Sequence, residues 1–151
     1  MTVPIIFLRD DDVDRDTPVF RELFASSRDC HVPVVYGIIP GRMEARLARF
    51  LVREKSRDPG ACDLVQHGFM HADYSGDPVN KYEFGPARPL AVQRRDMAKG
   101  LAMIRRMLGV ALTPAFVPPY HGYDDTTLRV VQELGFRIFS AGETARLRGA
   151  C

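Results

Sequence analysis

The chain has 151 residues, of which 46% are hydrophobic and 26% charged, the balance of one globular domain long enough to bury a core. A net charge of +2 is too small to recruit nucleic acid or an anionic membrane surface, and no run reaches the length of a membrane span, so neither partner is expected. Cys30, Cys62 and Cys151 are odd in number and lack Cys-x-x-Cys spacing, which argues against a disulfide framework and for a reducing, cytoplasmic setting.

Apolar runs alternate with helix-period segments. Residues 3–8 form a continuous apolar run with no basic segment ahead of it, which reads as a buried first strand and not as a signal peptide. The acidic motif Arg9-Asp10-Asp11-Asp12-Val13 follows. Residues 17–29 suit a helix with Phe20, Leu23 and Phe24 on one face and Pro18 near its first turn. Residues 32–39 are a second apolar strand closed by Pro40-Gly41, and 42–55 a helix with Met43, Leu47, Phe50 and Leu51 turned inward. After the Asp58-Pro59-Gly60 turn, 62–66 is a short third strand that runs into His67-Gly68-Phe69-Met70-His71. The stretch 72–89 is rich in Gly, Pro, Asp and Tyr and has no periodicity; a loop of that length in a compact domain is usually functional. Residues 90–108 predict a long amphipathic helix through Met97, Leu101, Ile104 and Leu108. A fourth strand at 113–117 leads into Pro118-Pro119-Tyr120-His121. Asp124 then caps a helix carrying Leu128, Val131 and Leu134, Gly135 ends it, and 136–140 is a fifth strand. Two arginine clusters, at Arg42, Arg46, Arg49 and Arg53 and at Arg94, Arg95, Arg105 and Arg106, are interrupted by acidic residues and read as solvated helix faces.

Strand–helix alternation with continuous apolar strands means a parallel sheet covered by helices, hence an α/β fold. The three motifs each follow a strand, which puts them together at the carboxyl edge of the sheet, where α/β sites are built. Taken alone, three aspartates are a solvated turn or a helix cap, and Pro-Pro-Tyr is a turn. Aimed at one edge together with a His-x-x-x-His pair, they supply the ligand types of a three-ligand metal site with a position left for water. Of two adjacent carboxylates, one can ligate the metal while its neighbour accepts the water's proton. On a helical turn the four-residue spacing of His67 and His71 would put both imidazoles on one face, with Gly68 letting the backbone tighten between them. Cys62 falls on a strand and reads as a small core residue. After Pro118 and Pro119, which fix an extended loop, the amides from Tyr120 onward are outside any ladder and could hold an oxyanion.

These fragments, in this order, resemble the polysaccharide deacetylase superfamily with its NodB homology domain. More narrowly they are similar to its short bacterial members, through Phe7-Leu8-Arg9-Asp10-Asp11-Asp12-Val13 and Glu83-Phe84-Gly85-Pro86-Ala87-Arg88-Pro89. The resemblance covers nearly the whole chain and implies one domain over residues 1–151 with a distorted (β/α) barrel. It implies metal-dependent removal of an N- or O-acetyl group from a carbohydrate, with zinc the usual metal. By the same resemblance Asp11 is the base, Asp12, His67 and His71 hold the metal, and Tyr120 gives its amide to the oxyanion on the substrate-facing Pro118-Pro119-Tyr120 loop.

Two departures stand out. An Arg that in the family lies between positions like Phe116 and Pro118 and orients the catalytic Asp is Val117 here, and Arg9 is the available substitute. The chain also stops after about five strands, before the family's later acidic motif and the His that protonates the leaving group, which leaves His121 as the histidine near the motifs for that task; His31 precedes the second strand, at the opposite edge. A barrel open after five strands has an unpaired edge through which copies of the chain could associate. The alternative expectation is a metal- or carbohydrate-binding remnant of the fold with impaired catalysis.

Overall fold

The structure is a computed structural model and describes residues 8–142. Five strands, β1 (Leu8–Val13), β2 (Val34–Ile38), β3 (Cys62–His67), β4 (Leu112–Val117) and β5 (Ile138–Phe139), alternate with four helices, α1 (Pro18–Asp29), α2 (Ala45–Arg57), α3 (Leu90–Leu108) and α4 (Asp125–Glu133). The strands are all parallel and lie in the order β1-β2-β3-β4-β5. Each strand pairs with its successor in sequence, so the sheet has no switch point and curls in one direction, the start of a (β/α) barrel.

One face of the sheet carries the core. Tyr36, Ile38 and Leu64 pack with Phe20 and Phe24 of α1, Leu47, Phe50 and Leu51 of α2, and Leu101, Ile104 and Leu108 of α3. Phe116, with Phe84, Met97, Val130 and Val131, continues that layer under α3 and α4. The other face is concave. Val35, Val65, Ala115 and Val117 line a cavity of about 300 Å³ there, bounded by Arg9, Asp63, Thr113 and Ser140. Arg9 Nη1 on β1 donates to Ser140 Oγ just past β5 at 2.6 Å, so curvature brings the two ends of the sheet within reach of one side chain.

The helix boundaries follow from local chemistry. Thr17 caps α1 by accepting from Phe20 N at 3.1 Å, with Pro18 in the first turn. The span of α3 is the one its apolar period predicts. Asp124 and Thr127 make a reciprocal capping box on α4. Three expectations are corrected. The predicted 3–8 strand lies, except for Leu8, outside the described residues, and β1 runs through the aspartates instead of ending before them. Helix α2 begins three residues late, because Glu44 N is taken by Asp14 O at 2.9 Å and Arg42 N by Ile39 O at 3.2 Å. Strand β5 is only two residues long, because Phe136 N bonds back to Val131 O and closes α4 at Gly135, φ 78°. No helix among the described residues is long and apolar enough to cross a membrane.

Candidate functional site

In a regular strand Asp11 and Asp12 would point to opposite faces. The β1–β2 register breaks here: Asp10 pairs with Tyr36 and Val13 with Ile38, so three steps on β1 oppose two on β2. This is a bulge, and Asp12 sits in it at φ 65°. Asp10 is in register with Tyr36, a residue of the helix-side core, and burial and then the neighbouring charges of Asp11 and Asp12 push its carboxyl up. Within the bulge Asp11 lies beside Arg9, and Asp12 beside His67 and His71.

His67 is the last residue of β3 and is buried. Its Nδ1 lies 3.1 Å from Val117 O; a carbonyl only accepts, so Nδ1 donates there and the ring is held with Nε2 turned toward Asp12. Residues 68–71 form no helical turn, contrary to the expectation from spacing. Gly68 (φ 61°) and His71 (φ 54°) are left-handed instead, and this double reversal brings the imidazole centroids to 5.1 Å. Asp12 Oδ1 stands 2.8 Å from His71 Nε2 and 3.2 Å from His67 Nε2. The histidines, through the His67 contact first, hold the Asp12 carboxyl below its usual range. Burial holds the His71 imidazole below its own. The site is one carboxylate and two imidazoles converging on the same space.

That donor set fits a divalent metal. One carboxylate oxygen and two imidazole nitrogens are donor types that a divalent transition metal takes, and the three ligand atoms lie within 4.8 Å of one another. Cys62 is on the helix face of β3, where burial pushes its thiol up to about 11, so it is a core residue and no ligand.

Around this triad, Asp11 has one oxygen bonded to Arg9 Nε at 3.1 Å. Its Oδ1 is buried and accepts no aligned hydrogen bond among the described residues, but it stands 3.1 Å from the same Arg9 Nε. A Cβ at Gly37 would come within 2.7 Å of that oxygen and 3.3 Å of His67 Cβ, so only glycine leaves room for Asp11 beside His67. Pro118 is extended as expected, but the backbone then turns into a short 3-10 turn, Pro119–His121, which consumes the His121 and Gly122 amides. The Tyr120 amide has no backbone partner among the described residues. The Tyr120 ring lies 4.5 Å from the His71 ring and its hydroxyl donates to His71 O at 3.1 Å. His121 is exposed on this turn.

Sequence reasoning gave Glu83 no role. It stands in the 72–89 segment, which contains no helix or strand, and is 1% exposed. Its carboxylate accepts from Phe69 N (3.0 Å), Met70 N (2.7 Å) and His71 N (3.1 Å). Burial pushes its carboxyl up, opposed by those three amides and by Arg88. The signal it left was a lone charge between Tyr82 and Phe84.

No protein-family profile and no curated protein matches the chain. Solved structures do. IcaB from Ammonifex degensii superposes with a TM-score of 0.67 at 20% identity, over 99% of this chain and 69% of that one. A family 4 carbohydrate esterase from Streptomyces lividans, solved with acetate, gives 0.63 at 16% identity over 88% and 60%. A family 4 acetyl xylan esterase from Clostridium thermocellum, solved with a cobalt ion, gives 0.58 at 15% over 82% and 53%. The chain thus spans a little over half of each esterase, and what it shares with all three is architecture. Its five parallel strands and their helices have the fold of the family 4 carbohydrate esterases and polysaccharide deacetylases.

Proposed function

We propose that the protein is a metal-dependent hydrolase that removes an acetyl group from an acetylated carbohydrate, and that zinc is its metal. The observation that carries this reading is the convergence of Asp12, His67 and His71 at the carboxyl edge of a carbohydrate-esterase fold. A divalent metal held by these three residues would supply Lewis acidity to a water and to the acyl carbonyl. Asp11 takes the water's proton on its carboxylate. Arg9 Nε, 3.1 Å from both carboxylate oxygens, fixes the orientation of that group. Pro118 and Pro119 set the loop against which the acyl group lies, and the Tyr120 N–H donates to the developing oxyanion. His121, on the same turn, protonates the leaving group. Free thiols at Cys30 and Cys62 suit a reducing location.

The test is metal content together with turnover of an acetyl ester and an N-acetylated sugar by the same preparation. Stoichiometric zinc and metal-dependent acetate release support the reading; a metal-free protein that gains neither zinc nor activity overturns it. A second reading, a metal-holding carbohydrate-binding protein without turnover, is favoured by the exposure of His121 and predicts metal and sugar binding with no acetate released.

A further inference from the structure

The segment that carries His71 cannot hold its own shape. It has no helical ladder, its neighbour Gly68 is at φ 61°, and His71, a residue with a Cβ, is at φ 54°. Three consecutive amides, of Phe69, Met70 and His71, instead point into a single buried carboxylate, an arrangement of backbone N–H groups that selects an anion. The fit is close enough to dictate sequence on both sides. A Cβ at Gly68 would lie 2.1 Å from Glu83 Oε2 and 2.4 Å from Pro119 Cγ, so the carboxylate occupies the space that any side chain at position 68 would need.

Glu83 is itself fixed from behind. Arg88 Nη1 donates to Glu83 O at 2.9 Å, and the same guanidinium pairs with buried Asp96 on α3. Phe84 is fully buried beside Met97 of α3. Gln66 Nε2 completes the frame by donating to Gly68 O at 2.9 Å. The irregular 72–89 loop therefore delivers one anchored negative charge to the backbone of a ligand loop.

We propose that Glu83 is a positioning residue of the metal centre: its carboxylate holds the Phe69–Met70–His71 backbone so that His71 Nε2 is already beside Asp12 and His67 before a metal arrives. This rests on the metal-centre reading above. Glutamine does not substitute, since a carboxamide has one acceptor oxygen and turns an NH2 group toward at least one of the three amides.

Glu83→Gln is expected to weaken zinc affinity 10- to 100-fold, the usual cost of losing an outer partner of a ligand. Affinity is read by competition with a chromophoric chelator, with far-ultraviolet circular dichroism unchanged. The cobalt(II) absorption spectrum of the variant should shift, because His71 is no longer held in place; a role in folding alone would lower stability and leave that spectrum as it is. Amide hydrogen exchange on the metal-free wild type needs no variant: the Phe69, Met70 and His71 amides are expected to be protected. Wild-type zinc affinity and cobalt spectrum in Glu83→Gln, or unprotected amides at these positions in the wild type, would overturn the inference. Wild-type protein that binds neither zinc nor cobalt would overturn the metal centre itself, a different result.

Discussion

Four residues at the site, Asp12, His71, Tyr120 and His121, adopt positive φ although none is glycine. Each such conformation costs on the order of 1–3 kcal/mol and persists where its surroundings enforce it. Here the bulge in β1, the Glu83 carboxylate and the Pro118-Pro119 turn do so. Because Asp11 pairs with Arg9 while Asp12 faces the two imidazoles, their roles can be separated by substitution. Asp11→Asn should keep zinc stoichiometry and lose about 100-fold or more in acetate release, while Asp12→Asn should lose the metal. If the two outcomes exchange, the roles exchange with them. Gly68→Ala should destabilise the fold by about 1–3 kcal/mol and weaken zinc binding, seen as a lower denaturation midpoint with a smaller rise on adding zinc. That Asp12, His67 and His71 would share one edge of the sheet was readable in the sequence, since each motif follows an apolar run that reads as a strand. The conformations were not: the spacing of His67 and His71 is equally good for a helical turn, and only the amides' partner twelve to fourteen residues away decides against it.

The elements that were readable are those whose signals are local. Helix α3 has an unbroken apolar period and matches its expected span; α1 and α4 begin at Thr17 and Asp124, the caps their sequences advertise. Where a distant group competes for the backbone the reading slips, as at the start of α2, where Asp14 O takes the Glu44 amide. The same β1–α1 connection carries an ion cluster whose arginines reach solvent. Asp16, 1% exposed at its side chain, is bonded by Arg21 Nη2 at 2.7 Å and by Arg46 Nε at 2.7 Å, and the Arg21 contact first holds its carboxyl below the usual range. A depressed carboxyl stabilises the folded chain above its unfolded value, roughly pH 4, and that contribution is lost as pH falls through the lower folded value. Asp16→Asn should therefore cost about 1–3 kcal/mol at neutral pH, read from urea denaturation. The difference from wild type should shrink below about pH 4, and a difference independent of pH would mean that the cluster acts through packing instead of charge.

The concave face of the sheet is a property of the whole molecule that no local pattern contained. Strand alternation implied a parallel sheet, but its direction of curl emerges only in contacts such as Arg9 to Ser140, 131 residues apart. That contact fixes the guanidinium that pairs with Asp11, so the arc of strands and this carboxylate are mechanically one unit. Among the described residues the arc brings no further histidine into the site beside His67 and His71. Of the four histidines, His67 and His71 are bound up with Asp12, and exposed His31 precedes β2 at the opposite edge of the sheet from the site. His121 is exposed on its turn. An amine must be protonated to depart, whereas the alcohol of an activated ester departs as an anion. Deacetylation of an activated ester should accordingly exceed that of an N-acetyl amide by about 100-fold or more in kcat/KM, the range that general acid catalysis covers. His121→Gln should lower amide turnover about 10-fold or more and leave the ester unchanged. Equal loss on both substrates would place His121 in substrate binding, and no loss on either would assign the proton to another group.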